Sequence, residues 1–133
     1  LLELPVSLLV PAAMEGVVHQ ENASSVQADI ILELANGPVT AEADEILDQK
    51  GVRVIPDVLA NSGGVIVSYF EWVQNIRHFY WEEEKVQDRL KTQITRATDA
   101  VEEHRSRYSV NMRRAAYILA LIRINKVLKA RGV

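Results

Sequence analysis

The stretch DIILELANGPVTAEADEILDQKGVRVI, residues 29–55, decides the fold. It opens on a nearly all-apolar run, residues 29–34, of the kind shown by strands covered on both faces. Ala35-Asn36-Gly37-Pro38 ends that run as a turn. The helix that follows is legible at both ends: Thr40 is its N-cap, Glu42 and Asp44 lie in its first turn, Ile46 and Leu47 face inward, and Gly51 stands just past its end. Val52, Val54 and Ile55 then supply a second, β-branched strand, which completes a βαβ unit.

Upstream, residues 6–10 form a third apolar strand, ending in Pro11-Ala12-Ala13. Before the next strand, Glu21, Asn22 and Ala23 ahead of Val26 suit a short helix. Three parallel strands thus present their carboxyl ends on one edge, where open α/β sheets bind ligands. The turns at 11–13, 36–38 and 57–64 are expected to converge there.

Downstream, PDVLANSGGVIVS, residues 56–68, joins the last strand to a long apolar helix. Two readings stand for it. In one, a loop holds a ligand, with Gly63 and Gly64 admitting close approach and the helix offering unpaired N–H donors. In the other, the glycines only relieve strain in a connection. The similar turns after the other two strands favour the first.

Beyond Gly64 the chain reads as entirely helical. Val65, Tyr69, Trp72, Val73, Ile76 and Tyr80 recur at steps of three and four, which predicts a packed stripe and argues against a cofactor box. A second helix is signalled by Val86, Leu90, Ile94, Ala97 and Val101, with Glu82, Glu83 and Glu84 at its positive end as dipole partners. A third starts at the N-cap Asn111, carries the apolar run 115–122, and ends with Lys126, Lys129 and Arg131 before Gly132.

With 133 residues, 48% of them hydrophobic and 25% charged, the chain suits one soluble globular domain. A net charge of −3 with both signs interspersed argues against a nucleic-acid partner. The longest apolar run falls well short of the roughly 18 residues of a membrane span, so no membrane partner is expected, and no signal peptide is expected ahead of the first strand. The absence of cysteine removes disulfides and thiolate chemistry and agrees with a cytoplasmic location.

His19, His78 and His104 stand without a second ligand at metal spacing, so they are expected on surfaces or helix faces and no metal site is expected. Ser68 lacks a nucleophile-elbow pattern but shares a helix face with Gly64 and Val65, where it can donate a hydrogen bond. No GxGxxG, phosphate loop or lysine accompanies the candidate site, so a complete catalytic apparatus is not encoded here.

Leu9-Val10-Pro11-Ala12-Ala13, Ala35-Asn36-Gly37-Pro38, Asn61-Ser62-Gly63-Gly64-Val65 and Ser68-Tyr69-Phe70-Glu71-Trp72-Val73-Gln74-Asn75 together resemble the motifs of the glutamate dehydrogenases, within the wider glutamate, leucine, phenylalanine and valine dehydrogenase group. The resemblance is strong over residues 8–75, loose through the second long helix and moderate over 111–132. It departs at Ser7, Ser62 and Ile122. It implies an α/β fold: residues 1–75 as the second half of a Rossmann-like dinucleotide-binding domain with its pocket helix, and residues 76–133 as carboxyl-terminal helices. It further implies that the catalytic residues, the substrate domain and the glycine-rich turn lie upstream of Leu1.

The roles implied by the resemblance are specific. Ala12, Ala13, Asn36 and Asn61 would border the nicotinamide and its ribose. Gly64 and Val65 would line the amino-acid pocket, and Ser68 would donate to the substrate's side-chain carboxylate. The cofactor would be NAD or NADP, the substrates L-glutamate and 2-oxoglutarate, and the intact protein a homohexamer. The alternatives are a dehydrogenase for another amino acid, or a non-catalytic module that kept the nucleotide-facing edge for sensing or assembly.

Overall fold

The computed structural model describes residues 1–132; Val133, the last residue of the expected helical segment, lies outside the described residues. Three short strands, β1 (Leu8–Leu9), β2 (Ile30–Leu32) and β3 (Arg53–Ile55), form one parallel sheet in the order β1-β2-β3. Leu9 pairs with Ile31, and Ile31 with Val54. The expected α/β class with a parallel βαβ unit therefore holds, while all three strands are shorter than the apolar runs that announced them.

The first run departs most from expectation. Val6, Leu8 and Val10 are 37%, 49% and 39% exposed, so this strand is not covered on both faces. Its position explains this: β1 is an edge strand, with a hydrogen-bonded neighbour on one side among the described residues. A second parallel contact, between Val18 and Val39, ties the segment after β1 to the one after β2. The expected short helix is a single 3-10 turn, Ala23–Ser25.

Helix α1 (Ala41–Gln49) begins and ends where the sequence indicates. Thr40 Oγ1 accepts from Ala43 N at 3.3 Å, and Gly51, at φ +77°, lets Val52 N reach back to Leu47 O and Gly51 N to Asp48 O, both at 3.0 Å. The helix lays Ala43 and Leu47 onto Ile31 and Val54, and Val18, Val26 and Val39 close the other side of this core.

The segment 57–64, expected as a loop, is helical: α2 (Asp57–Ala60) runs through Asn61 into α3 (Ser62–Arg77). Gly63 and Gly64 hold ordinary negative φ, so their conformational freedom goes unused. Nor does packing demand glycine at position 63, where a Cβ would make an ordinary van der Waals contact, 3.4 Å from Ile94 Cδ1. Helix α4 (Glu83–Tyr108) and helix α5 (Met112–Ala130) form a hairpin whose Val101, Met112, Ala115 and Leu119 pack with Leu59 and Ile55 into a second core. Asn111 caps α5 as expected, its Oδ1 accepting from Arg114 N at 2.9 Å.

The aromatic stripe of α3 is not a packed one. Val65, Tyr69, Trp72 and Ile76 are each more than half exposed, and Tyr80 lies past the helix end, which His78 closes in the left-handed region. Only Phe70 and Gln74 of α3 are buried, Phe70 against Trp81 with ring centroids 5.6 Å apart. Helical spacing aligns side chains on one face, but burial needs a neighbouring element, and among the described residues none covers this face.

Candidate functional site

The carboxyl ends of the three strands lead into adjoining segments, as expected for a ligand edge. Pro11 O accepts both Leu34 N and Ala35 N, at 3.0 and 2.9 Å, which ties the turn carrying Ala12 and Ala13 to the one carrying Asn36. Both alanines are exposed. Asn61 Nδ2 donates to Asn36 Oδ1 at 2.7 Å, so two of the expected cofactor residues, from separate turns, are in direct contact. Gly64, Val65 and Ser68 follow on the first turns of α3, all three exposed. A Cβ added to Gly64 would meet nothing within 4 Å.

Beneath this edge lies a charged cluster that the sequence did not announce. Glu33, at the end of β2, is fully buried. Arg113 reaches it from the first turn of α5, with Nη2 2.6 Å from Oε1, and sets Nε 3.1 Å from Asp44 Oδ1 and Nη1 3.5 Å from Asp57 Oδ1. Burial works against the Arg113 charge, but the hydrogen bond and field of Glu33, with Asp44, outweigh it and hold the guanidinium above its ordinary pKa. Asp44, also buried, accepts from Asn111 Nδ2 at 3.0 Å as well.

Asp57 connects this cluster to the turns. Its backbone N donates to Glu33 Oε2 at 2.7 Å, while its own Oδ2 accepts from Gly37 N at 2.8 Å. The one available signal for the cluster was a glutamate inside an apolar strand run; its arginine partner lies eighty residues away. Among the described residues no group of three metal-ligating side chains occurs, and His104 turns its Nδ1 to Ala100 O at 2.8 Å within α4. Nor is any described helix long and apolar enough to cross a membrane.

A family model described as glutamate/leucine/phenylalanine/valine dehydrogenase matches residues 1–132. The chain is similar to a glutamate dehydrogenase of Thermotoga maritima, 50% identical over 133 residues, which are all of this chain and 32% of that protein. It is also 49% identical over 125 residues to the NADP-specific glutamate dehydrogenase A1 of Halobacterium salinarum, covering 93% of this chain and 30% of that one. Among solved structures, the hetero-hexameric glutamate dehydrogenase of Thermus thermophilus, in its leucine-bound form, superposes with a TM-score of 0.94 at 39% identity, over 99% of this chain and 32% of that one. The chain spans about a third of the length of the curated relatives it matches.

Proposed function

Because the chain belongs to the glutamate, leucine, phenylalanine and valine dehydrogenase family, we propose that it forms part of a glutamate dehydrogenase, which reversibly deaminates L-glutamate to 2-oxoglutarate and ammonia with hydride transfer to NAD or NADP. The observation that carries this reading is the identity of half of all its residues with a glutamate dehydrogenase. Asn36 and Asn61 bind the nicotinamide and its ribose beside Ala12 and Ala13. Gly64 and Val65 receive the aliphatic part of the substrate, and Ser68 donates to its side-chain carboxylate.

The amide pair is suited to such a group. The hydrogen bond between the two asparagines uses the oxygen of Asn36 and the nitrogen of Asn61. A nitrogen on the first and an oxygen on the second remain to meet a carboxamide and ribose hydroxyls. When bound, the dinucleotide accepts or gives the hydride, and the protein orients it. Ser68 suits a carboxylate because a buried charge without a donor is costly, whereas a hydroxyl facing an alkyl chain is wasted. The catalytic groups lie in parts of the protein outside this chain, and the intact protein is a hexamer.

Steady-state assays of the intact protein with NAD and NADP test the reading. Glutamate-dependent reduction of either dinucleotide is expected. Turnover of a branched or aromatic amino acid with none on glutamate would assign another substrate, and no dinucleotide reduction with any amino acid would overturn the enzyme reading.

A further inference from the structure

We propose that Arg113 is a positioning residue for the Asn36–Asn61 pair, acting through Asp57 and the Asn36–Gly37 peptide; its bearing on catalysis rests on the cofactor role proposed above for that pair. Arg113 lies more than fifty residues beyond Asn61 on another helix, and its side chain is only 16% exposed. Its three guanidinium nitrogens face three different carboxylates, those of Glu33, Asp44 and Asp57. A planar fork spreads its donors over three separate nitrogens and so spans three carboxylates, whereas the donors of an ammonium all radiate from one atom.

Two of those contacts account for packing α5 onto β2 and α1. The third leads on to the site edge. Asp57 is held twice, by its backbone N on Glu33 and by its carboxylate beside Arg113, and its remaining oxygen accepts the N–H of Gly37 at 2.8 Å. That N–H belongs to the peptide joining Asn36 to Gly37, a turn in which Gly37 adopts φ +55°. Anchoring the peptide plane fixes where the Asn36 side chain leaves the backbone, and Asn36 Oδ1 in turn receives Asn61 Nδ2. A buried ion cluster of this kind is seldom the most stable filling of its space, and its better-attested use is to fix a register. Here the register is that of the turn bearing the amide pair.

The test uses the intact protein, its Arg113→Met and Arg113→Lys variants, and hydrogen exchange of the peptide covering residues 34–39 against that of α4. Loss of the clamp in Arg113→Met should speed exchange in the turn by about tenfold or more while α4, which holds none of the three carboxylates, changes little, with Arg113→Lys intermediate. Cofactor kcat/KM should fall in parallel. Combined with Asn36→Ala, Arg113→Met should lower it by no more than about twofold beyond Asn36→Ala alone, because both act through one group. Unchanged exchange in the turn, acceleration spread evenly along the chain, or losses that multiply in the double variant would each overturn the proposal. Should Arg113→Met fail to fold, Arg113→Lys and Asp57→Asn decide by the same exchange measurement. A protein whose turn responds as expected, but which reduces no dinucleotide with glutamate, would refute the proposed function and leave the positioning intact.

Discussion

Asn61 and Asn36 meet amide to amide at 2.7 Å, across two strand-end segments. Replacing either by Ala in the intact enzyme should weaken cofactor use and misplace the nicotinamide, so turnover should fall along with affinity. Since the two touch, the double variant should lose less than the product of the single losses. Steady-state kinetics with varied dinucleotide make the measurement, and unchanged cofactor constants in both single variants would show that the asparagines serve only their turns.

Ser68 lies one turn beyond Gly64 on the exposed side of α3. Ser68→Val in the intact enzyme should lower kcat/KM for glutamate by roughly ten- to a hundredfold, the effect of losing a hydrogen bond to a charged group worth about 1.5–3 kcal/mol. Efficiency toward norvaline or leucine should fall much less, or rise. Equal losses on both kinds of substrate would show that Ser68 does not read the carboxylate.

Two arginine–carboxylate pairs with the same 2.6 Å contact differ in burial and should differ in worth. Glu33 and Arg113 are 0% and 16% exposed, so Glu33→Gln, which leaves the guanidinium undercompensated, should cost about 3 kcal/mol in denaturant unfolding. Glu102 and Arg105 are 48% and 37% exposed, and Glu102→Gln should cost under about 0.5 kcal/mol once solvent screening is counted. The hydrogen bond from Arg105 holds the Glu102 carboxyl below its ordinary value of 4.5, so this small contribution is present above that pH and fades as pH falls below it. For Arg113 the sign is opposite: its folded pKa is raised, and the stability that follows from it is lost only in strongly alkaline solution.

The 133-residue polypeptide by itself should self-associate and bind neither NAD nor NADP tightly. The edge of β1 offers unpaired backbone groups, and α5 exposes Leu121, Ile124 and Val127 by 64%, 56% and 51%. Light scattering and calorimetric titration check this. A monomer with micromolar affinity for either dinucleotide would promote the self-sufficient sensing module to the better reading.

What was legible in the sequence is what local chemistry controls. Thr40, Gly51 and Asn111 mark helix ends because caps are decided within a few residues, and all three do so in the structure. The strands were placed but overextended, because an apolar run continues where ladder pairing has already stopped. Gly63 and Gly64 suggested a loop, yet glycine tolerates a helix, and neither backbone conformation nor packing within this chain demands it at either position. Within the site, position after a strand was enough to expect the segments of Asn36 and Asn61 at one edge, but not that the second is helical. The Arg113 cluster was not legible, since a guanidinium and three carboxylates spread over eighty-one positions leave no local pattern.

At position 64 the chain forgoes stability that is within easy reach. The backbone there is helical and a methyl group would touch nothing within 4 Å, so Gly64→Ala should raise unfolding stability by about 0.5–1 kcal/mol. Under the pocket role proposed for Gly64 with Val65 and Ser68, that open space is where the substrate sits, and the same alanine that strengthens the helix should obstruct glutamate and raise its KM in the intact enzyme. A variant both more stable and equally active would show that the room beside α3 is idle.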